Sequence, residues 1–330
     1  MTLGVAVVGA GDMGRRHAQH WQQAGAHLVA ICDAYKPLAE RVAATHNAKA
    51  FVSLEDALKN VGADIQVVSV CTPTFLHAPI SLTALSNGKH VLCEKPVALT
   101  LEDAKAMKQA AQTNHKELRI GFMRRFDPAY PQLVSACERV GSPLLAHATI
   151  AAGIRPKRLM HDANANGGPI IDMCCHVFNL WEGIFGCHPE TVSAHGYTFS
   201  EDKLELTGIT HKAVDSAHIS LHYPNGCHGH IQVSWGLPTG VEAVETHAYI
   251  GPSGMVRANW NEEITLNDGQ GTTTWTRDSS DANLLDPWRR EIAQFYLELT
   301  QDAPRQVAAI EDGMNALDIS LAVLTSIQTQ

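Results

Sequence analysis

The chain has 330 residues, 45% hydrophobic and 18% charged, with a net charge of −9 and a pI near 6.0. That composition is globular and long enough for two domains, and its acidity argues against nucleic acid or an anionic membrane as a main partner. No run approaches the roughly 20 apolar residues of a membrane helix, the first strand begins too early to leave room for a signal peptide, and eight cysteines without a C-x-x-C are no disulfide framework, so a reducing cytoplasm is expected.

Leu3–Val8 (LGVAVV) reads as a strand that flows into Gly9-Ala10-Gly11-Asp12-Met13-Gly14, a G-x-G-x-x-G sequence. A helix is expected from about Met13 to Ala24, and a second strand, Leu28–Cys32, ends at Asp33. This order points to a dinucleotide site. Gly9 allows the tight turn, Gly11 lets the backbone approach a pyrophosphate, and Gly14 lets the helix pack closely, with Asp12 and Met13 in its first turn facing the phosphates. Asp33 can accept hydrogen bonds from a ribose 2′-hydroxyl and would repel a 2′-phosphate, which favours NAD over NADP. Lys36 and Arg15 are the cations that could reach such a phosphate, and they keep NADP as the second choice.

Short apolar runs then alternate with helical patterns. Strands are expected at Ala50–Val52, Ile65–Cys71, His90–Glu94 and Leu118–Phe122, with helices at Pro37–Thr45, Leu54–Lys59, Pro79–Asn87 and Leu101–Thr113. Ser53 with Asp56 and Thr100 with Asp103 have capping-box spacing. Strands separated by helices imply a doubly wound parallel sheet. In such a sheet the carboxyl ends of the strands face the ligand. That edge receives Thr72-Pro73-Thr74-Phe75-Leu76-His77 after the Ile65–Cys71 strand, and Glu94-Lys95-Pro96 at the end of the next strand. Thr72, Pro73, His77, Glu94 and Pro96 are therefore candidate cofactor-lining residues, Lys95 is a candidate cation at the reaction centre, and the Lys95–Pro96 peptide is a place where a cis bond is tolerated.

The pattern changes after about Phe122. A helix at Pro131–Arg139 precedes strands at Leu144–Ala151, Thr191–Tyr197, Ala217–Tyr223, Cys227–Trp235, Thr246–Ile250, Met255–Ala258 and Ile264–Leu266, interrupted by one helix over Pro169–Phe185. Two closing helices fall at Pro287–Gln301 and Glu311–Ile327, and the sequence leaves open whether they pack on the first domain. The expectation is a Rossmann domain over 1–122 and an α+β domain over 123–330 with a largely antiparallel open sheet. A broad sheet with few helices needs cover, and a homodimer or homotetramer through it is one solution, a polar-faced monomer the other. Gly167-Gly168-Pro169 marks a helix entry, and Asp172 and His176 follow at i and i+4. Two ionisable groups in that apolar run are either a satisfied core pair or a working pair. The Cys174-Cys175-His176 and Cys227/His228/His230 groups lack the paired spacing of a zinc site, and no metal is expected.

Together with Gly121-Phe122-Met123-Arg124-Arg125-Phe126-Asp127-Pro128-Ala129-Tyr130, these motifs in this order resemble the Gfo/Idh/MocA oxidoreductases, inositol dehydrogenase branch, from end to end. The resemblance implies a dehydrogenase for a secondary hydroxyl of a cyclic polyol or sugar. In it, His176 is the general base, Lys95 assists by stabilising charge on oxygen, and Asp172 anchors a second hydroxyl or orients the other two. An ordinary imidazole titrates near pH 6.5, well placed for that proton transfer. One stretch departs from a sugar site. Arg155, Lys157 and Arg158, with help from Arg124 or Arg125, could pair with an anion, so a carboxylated cyclic diol such as an arene cis-dihydrodiol acid is the competing substrate. A non-catalytic NAD-binding sensor is the reading of another class. Its mark is loss of the Lys–Asp–His set, and all three residues are present.

Overall fold

The computed structural model describes residues 2–259, 262–276 and 286–329. The chain forms two compact units, Met1–Phe126 with Ala282–Met314, and Asp127–Asp281 with Asn315–Gln330.

The first unit runs β1 (Gly4–Val8), α1 (Asp12–Gln23), β2 (His27–Cys32), α2 (Lys36–His46), β3 (Lys49–Phe51), α3 (Leu54–Val61), β4 (Val67–Val70), α4 (His77–Ser86), β5 (His90–Glu94), α5 (Leu101–Thr113) and β6 (Leu118–Gly121). Every strand pair is parallel, in the order β3-β2-β1-β4-β5-β6. The residues of β1, β4 and β6 are all buried, so β1 reads as a continuous apolar run, while β4 and β6 carry Ser69 and Arg119 as buried polar residues. Ser53 and Thr100 cap α3 and α5 by accepting from the Asp56 and Asp103 backbone N–H groups. The strand order reverses between β1 and β4, and their carboxyl ends flank the ligand edge.

The second unit runs α6 (Ala129–Val140), β7 (Leu145–Gly153), α7 (Gly168–Asp172), α8 (Cys174–Phe185), β8 (Thr191–Tyr197), β9 (Ser216–His222), β10 (His228–Leu237), β11 (Val244–Gly251), β12 (Gly254–Asn259), β13 (Glu263–Asn267) and β14 (Thr272–Thr276). Its sheet has the order β14-β13-β12-β11-β7-β10-β9-β8, antiparallel except between β7 and β10. One face carries Ala148, Ile150, Ile231, Val233, Ile219 and Tyr249, all buried. Gly229 on that face leaves the space that Trp181 of α8 occupies. The opposite face carries His147, His230, His218 and His195.

Two helices follow. α9 (Pro287–Thr300) returns to the first unit, where Phe295 meets Trp21 edge-on at 6.1 Å and Ile292 joins the core with Val5, Val7 and Leu92. α10 (Ile310–Gln328) begins in the first unit and ends in the second. This answers what the sequence left open for α9.

The expected elements are present, within two residues at either end, with two exceptions. The strand β14 was not expected, because TTTWT on an edge has no buried alternation to announce it. The single helix expected over Pro169–Phe185 is two, α7 and α8, separated at Met173.

Candidate active site

At the ligand edge of the first unit the glycine loop has the geometry its spacing implies. Gly9 has φ +93°, and a Cβ there would lie 2.5 Å from the Cys71 carbonyl oxygen. A Cβ on Gly14 would lie 1.7 Å from the Gly9 carbonyl oxygen, so only glycine lets α1 start this close to β1. A Cβ on Gly11 would meet nothing within 4 Å, which leaves open space on the side a phosphate would approach. The N-cap of α1 is Gly11, which has no side chain to cap the helix, and a helix N-terminus of this kind suits a pyrophosphate.

Asp33 braces this loop. Its Oδ2 accepts from the Ala10 N–H at 2.8 Å and its Oδ1 from the Tyr35 N–H at 2.8 Å. Each carboxylate oxygen has a second lone pair for a ribose hydroxyl. Arg15 pairs with Asp12, and Lys36 lies 3.7 Å from Glu40, so both cations that could favour a 2′-phosphate have carboxylates on their own helices.

Thr72 and Pro73 follow β4 after Cys71, and Lys95 and Pro96, joined by a cis peptide bond, follow β5. His77 lies between the two loops with a backbone carbonyl at each ring nitrogen, and its neutral ring donates its one N–H to one of them. Its Nδ1 is 2.7 Å from the Pro96 carbonyl and its Nε2 2.9 Å from the Thr72 carbonyl. Burial holds its pKa below the ordinary histidine range, against the pull of those carbonyls and Glu94. His77 thus shapes the crevice through the backbone it binds. The Thr72 hydroxyl is buried without a hydrogen-bond partner among the described residues. Glu94 is buried as well, and its Oε1 is 2.8 Å from His17 Nε2. Arg124 lies in the 3-10 turn Met123–Phe126, half-buried, and the neighbouring Arg125 pairs with Asp312 at 2.6 Å.

The second unit supplies Asp172 and His176, each 6% exposed. Gly167 and Gly168 enter α7 with φ +83° and +70°, and a Cβ on Gly168 would lie 2.5 Å from Ala213 Cβ. Asp172 ends α7, and Met173 breaks the helix with φ −103°. The His176 N–H then bonds to the Met173 carbonyl at 3.1 Å. The i, i+4 spacing is therefore not that of one continuous helix, a correction to the sequence expectation. The flanking residues Ile170, Ile171, Cys174, Cys175 and Val177 are buried, so the two ionisable groups stand in an apolar segment.

Near the end of β7 the Arg155 N–H donates to His161 Nε2 at 2.9 Å. The Arg155 guanidinium lies over the Trp235 ring, 5.5 Å from its centroid, and its Nε is buried without a hydrogen-bond partner among the described residues. Arg158 bonds to the Thr207 carbonyl, and Lys157 is exposed. His17, Ser69, Glu291, His161 and Trp235 were not singled out in the sequence. His17 and Glu291 carried a signal, since each is an ionisable residue on the apolar stripe of its helix.

A family model described as an oxidoreductase family with an NAD-binding Rossmann fold matches residues 3–122, and a model of the GFO/IDH/MocA C-terminal domain matches residues 134–251. The chain is 30% identical over 241 residues to a scyllo-inositol 2-dehydrogenase (NAD(+)) of Bacillus subtilis, covering 71% of this chain and 68% of that one. It is 27% identical over 334 residues to an inositol 2-dehydrogenase of Rhizobium meliloti, covering 99% and 97%. Among solved structures, a UDP-N-acetylglucosamine 3-dehydrogenase from Acidithiobacillus ferrooxidans superposes with a TM-score of 0.82 at 25% identity, over 100% of this chain and 99% of that one.

Proposed function

The chain belongs to the Gfo/Idh/MocA oxidoreductases, as an NAD-dependent enzyme acting on CH–OH donors, and from that premise we propose that it oxidises a secondary hydroxyl of an inositol-like cyclic polyol or sugar to the ketone. When bound, NAD supplies the hydride acceptor. His176 takes the hydroxyl proton. Lys95 donates a hydrogen bond to the same oxygen and stabilises its developing negative charge. Asp172 binds a neighbouring hydroxyl or orients the other two groups. The observation that carries this reading is the burial of Asp172 and His176, 6% exposed each, in an otherwise apolar segment.

A second reading is favoured by Arg155. A guanidinium stacked on Trp235, with a buried N–H lacking an acceptor among the described residues, suits a carboxylate. The substrate is then a carboxylated cyclic diol of the cis-dihydrodiol type. We also propose that the enzyme works in the cytoplasm, consistent with its eight free thiols, and self-associates through the open face of its second sheet.

The test is a panel of inositols, aldoses and carboxylated diols, each with NAD, followed by NADH absorbance. Turnover of a neutral polyol supports the first reading, and turnover of carboxylated diols alone supports the second. With the best alcohol, His176→Ala should lower kcat by about 10²–10⁴ while NAD binding persists. An unchanged kcat removes His176 as the base.

A further inference from the structure

The first unit holds a buried polar chain that cofactor binding does not account for. Trp21, His17 and Ser69 are fully buried, and Glu94 is 5% exposed. Trp21 Nε1–H can only donate, and it lies 3.1 Å from Ser69 Oγ. Ser69 Oγ is 2.8 Å from His17 Nδ1, and His17 Nε2 is 2.8 Å from Glu94 Oε1. Ser69 Oγ, which has two lone pairs, accepts from Trp21 and also meets His17 Nδ1. An Nε2–H on His17 donates to the Glu94 carboxylate. Glu94 is thereby given an N–H where an unpaired charge would be strongly disfavoured.

Glu291 on α9 is the opposite. It is 0% exposed, and neither carboxyl oxygen has a hydrogen-bond partner among the described residues. The charges acting on it are Glu94 and Arg125. Those facing Glu94 are His17 from α1, Lys95 and His77 from α4, with the Cys71 and Cys93 thiols also in range and Glu291 from α9. Two carboxyl groups that feel each other's charge inside a dry core do not both ionise readily.

We propose that His17 and Glu291 are positioning residues for Lys95: His17 holds Glu94 as the buried anion that steadies the Lys95 ammonium, and Glu291 stays an un-ionised acid, so that the pair carries one negative charge. Burial drives Glu291 well above the usual carboxylate range. Burial works on Glu94 in the same direction, but the hydrogen bond from His17, together with the attraction of His17 and Lys95, outweighs it and holds Glu94 below its ordinary value. Attraction between Glu94 and Lys95 is mutual, so a charge kept on one favours the charge on the other. The consequence for catalysis rests on Lys95 serving the reacting hydroxyl, as proposed above; the division of charge between the two acids does not.

Infrared difference spectra of the whole protein, wild type minus Glu291→Gln at pH 7, read that division without any substrate. A lost band of un-ionised carboxyl is expected, and a lost carboxylate band overturns the proposal. Thermal melts give a second reading. A folded acid with a raised pKa contributes stability that is full below the unfolded pKa and lost as the pH rises. Wild type should therefore lose stability relative to Glu291→Gln above about pH 4.3. A difference independent of pH overturns it. The link to Lys95 is read from the pH profile of kcat with NAD and the best alcohol of the panel. His17→Leu should move the alkaline limb down by about 1 unit, and His17→Gln, which keeps an N–H toward Glu94, should restore it. Superimposable profiles of wild type and His17→Leu overturn the link. Undiminished kcat in Lys95→Ala sinks the Lys95 assignment alone and leaves the infrared result standing.

Discussion

Asp33 and Glu94 both stand at strand ends of the parallel sheet, yet their surroundings fit them for different work. Asp33 is partly exposed and spends one lone pair of each oxygen on a backbone N–H, which leaves acceptors facing outward for a ribose. Removing it should cost the charge-assisted hydrogen bond to the 2′-hydroxyl and remove the repulsion of a 2′-phosphate. In Asp33→Ala the ratio of kcat/KM with NAD to that with NADP should fall by about 10–100-fold. An unchanged ratio would take Asp33 out of the ribose site. His188 shows the same dependence of charge on neighbours. Its Nδ1 is 2.6 Å from Glu182 of α8, and its Nε2 is 3.5 Å from Asp318 of α10. The Glu182 hydrogen bond raises its pKa above the ordinary histidine value, against partial burial. The raised folded pKa makes its stabilisation full below about pH 6.5 and lost as the pH rises through the folded value. The difference in Tm between wild type and His188→Gln should be largest near pH 5.5 and shrink toward pH 8.5. A difference that grows with pH would show the ion pair to be wrongly assigned.

Among the elements, α9 departs most from chain order. It lies more than 150 residues beyond β6 in sequence, yet its stripe Trp288, Glu291, Ile292 and Phe295 serves the first unit. Phe295 is fully buried against Trp21. Phe295→Ala should cost about 3–5 kcal/mol and lower the midpoint of the unfolding transition that NAD shifts upward. If only an NAD-insensitive transition moved, α9 would not be part of the cofactor unit. The same helix shows what the sequence could and could not disclose. Its extent was legible, expected at Pro287–Gln301 and found at Pro287–Thr300, but its cap from Asp286 was not singled out, and where it packs depends on contacts remote in sequence. The strands β1 and β2 were legible because burial on both faces leaves nearly uninterrupted apolar runs, and the other four from short apolar runs between helical patterns. The break at Met173 was not, because Ile170 to Trp181 is apolar on both sides of it and no Gly or Pro marks the place. Gly9, Gly11 and Gly14 could be given separate tasks from spacing alone, since each task is steric. The roles of His17 and Glu291 could not, because a charged residue on an apolar stripe announces a partner without saying which.

For the molecule as a whole, the open face of the second sheet carries side chains that are exposed or half-buried among the described residues. Leu145 and Ile250 are paired across β7 and β11 and are 55% and 49% exposed, with Met255 beside Ile250 on β12. His228 and His222 extend this row on the other side, their rings 4.4 Å apart. Imidazoles and aliphatic side chains in a row make a surface with little net charge on a chain that carries −9 overall. Like-charged copies of this protein repel one another over most of their surface and least over this patch. A second copy buried here would shield the apolar residues, which is the proposed homo-oligomer. Ile250→Glu places a carboxylate in the middle of the row, where a two-fold interface would bring it close to its own copy. Light scattering should then give the mass of a single chain where wild type gives a dimer or tetramer, with the far-ultraviolet circular dichroism unchanged. A mass that stays multimeric in Ile250→Glu and in Leu145→Arg would move the interface to another surface, and a monomeric wild type would remove it.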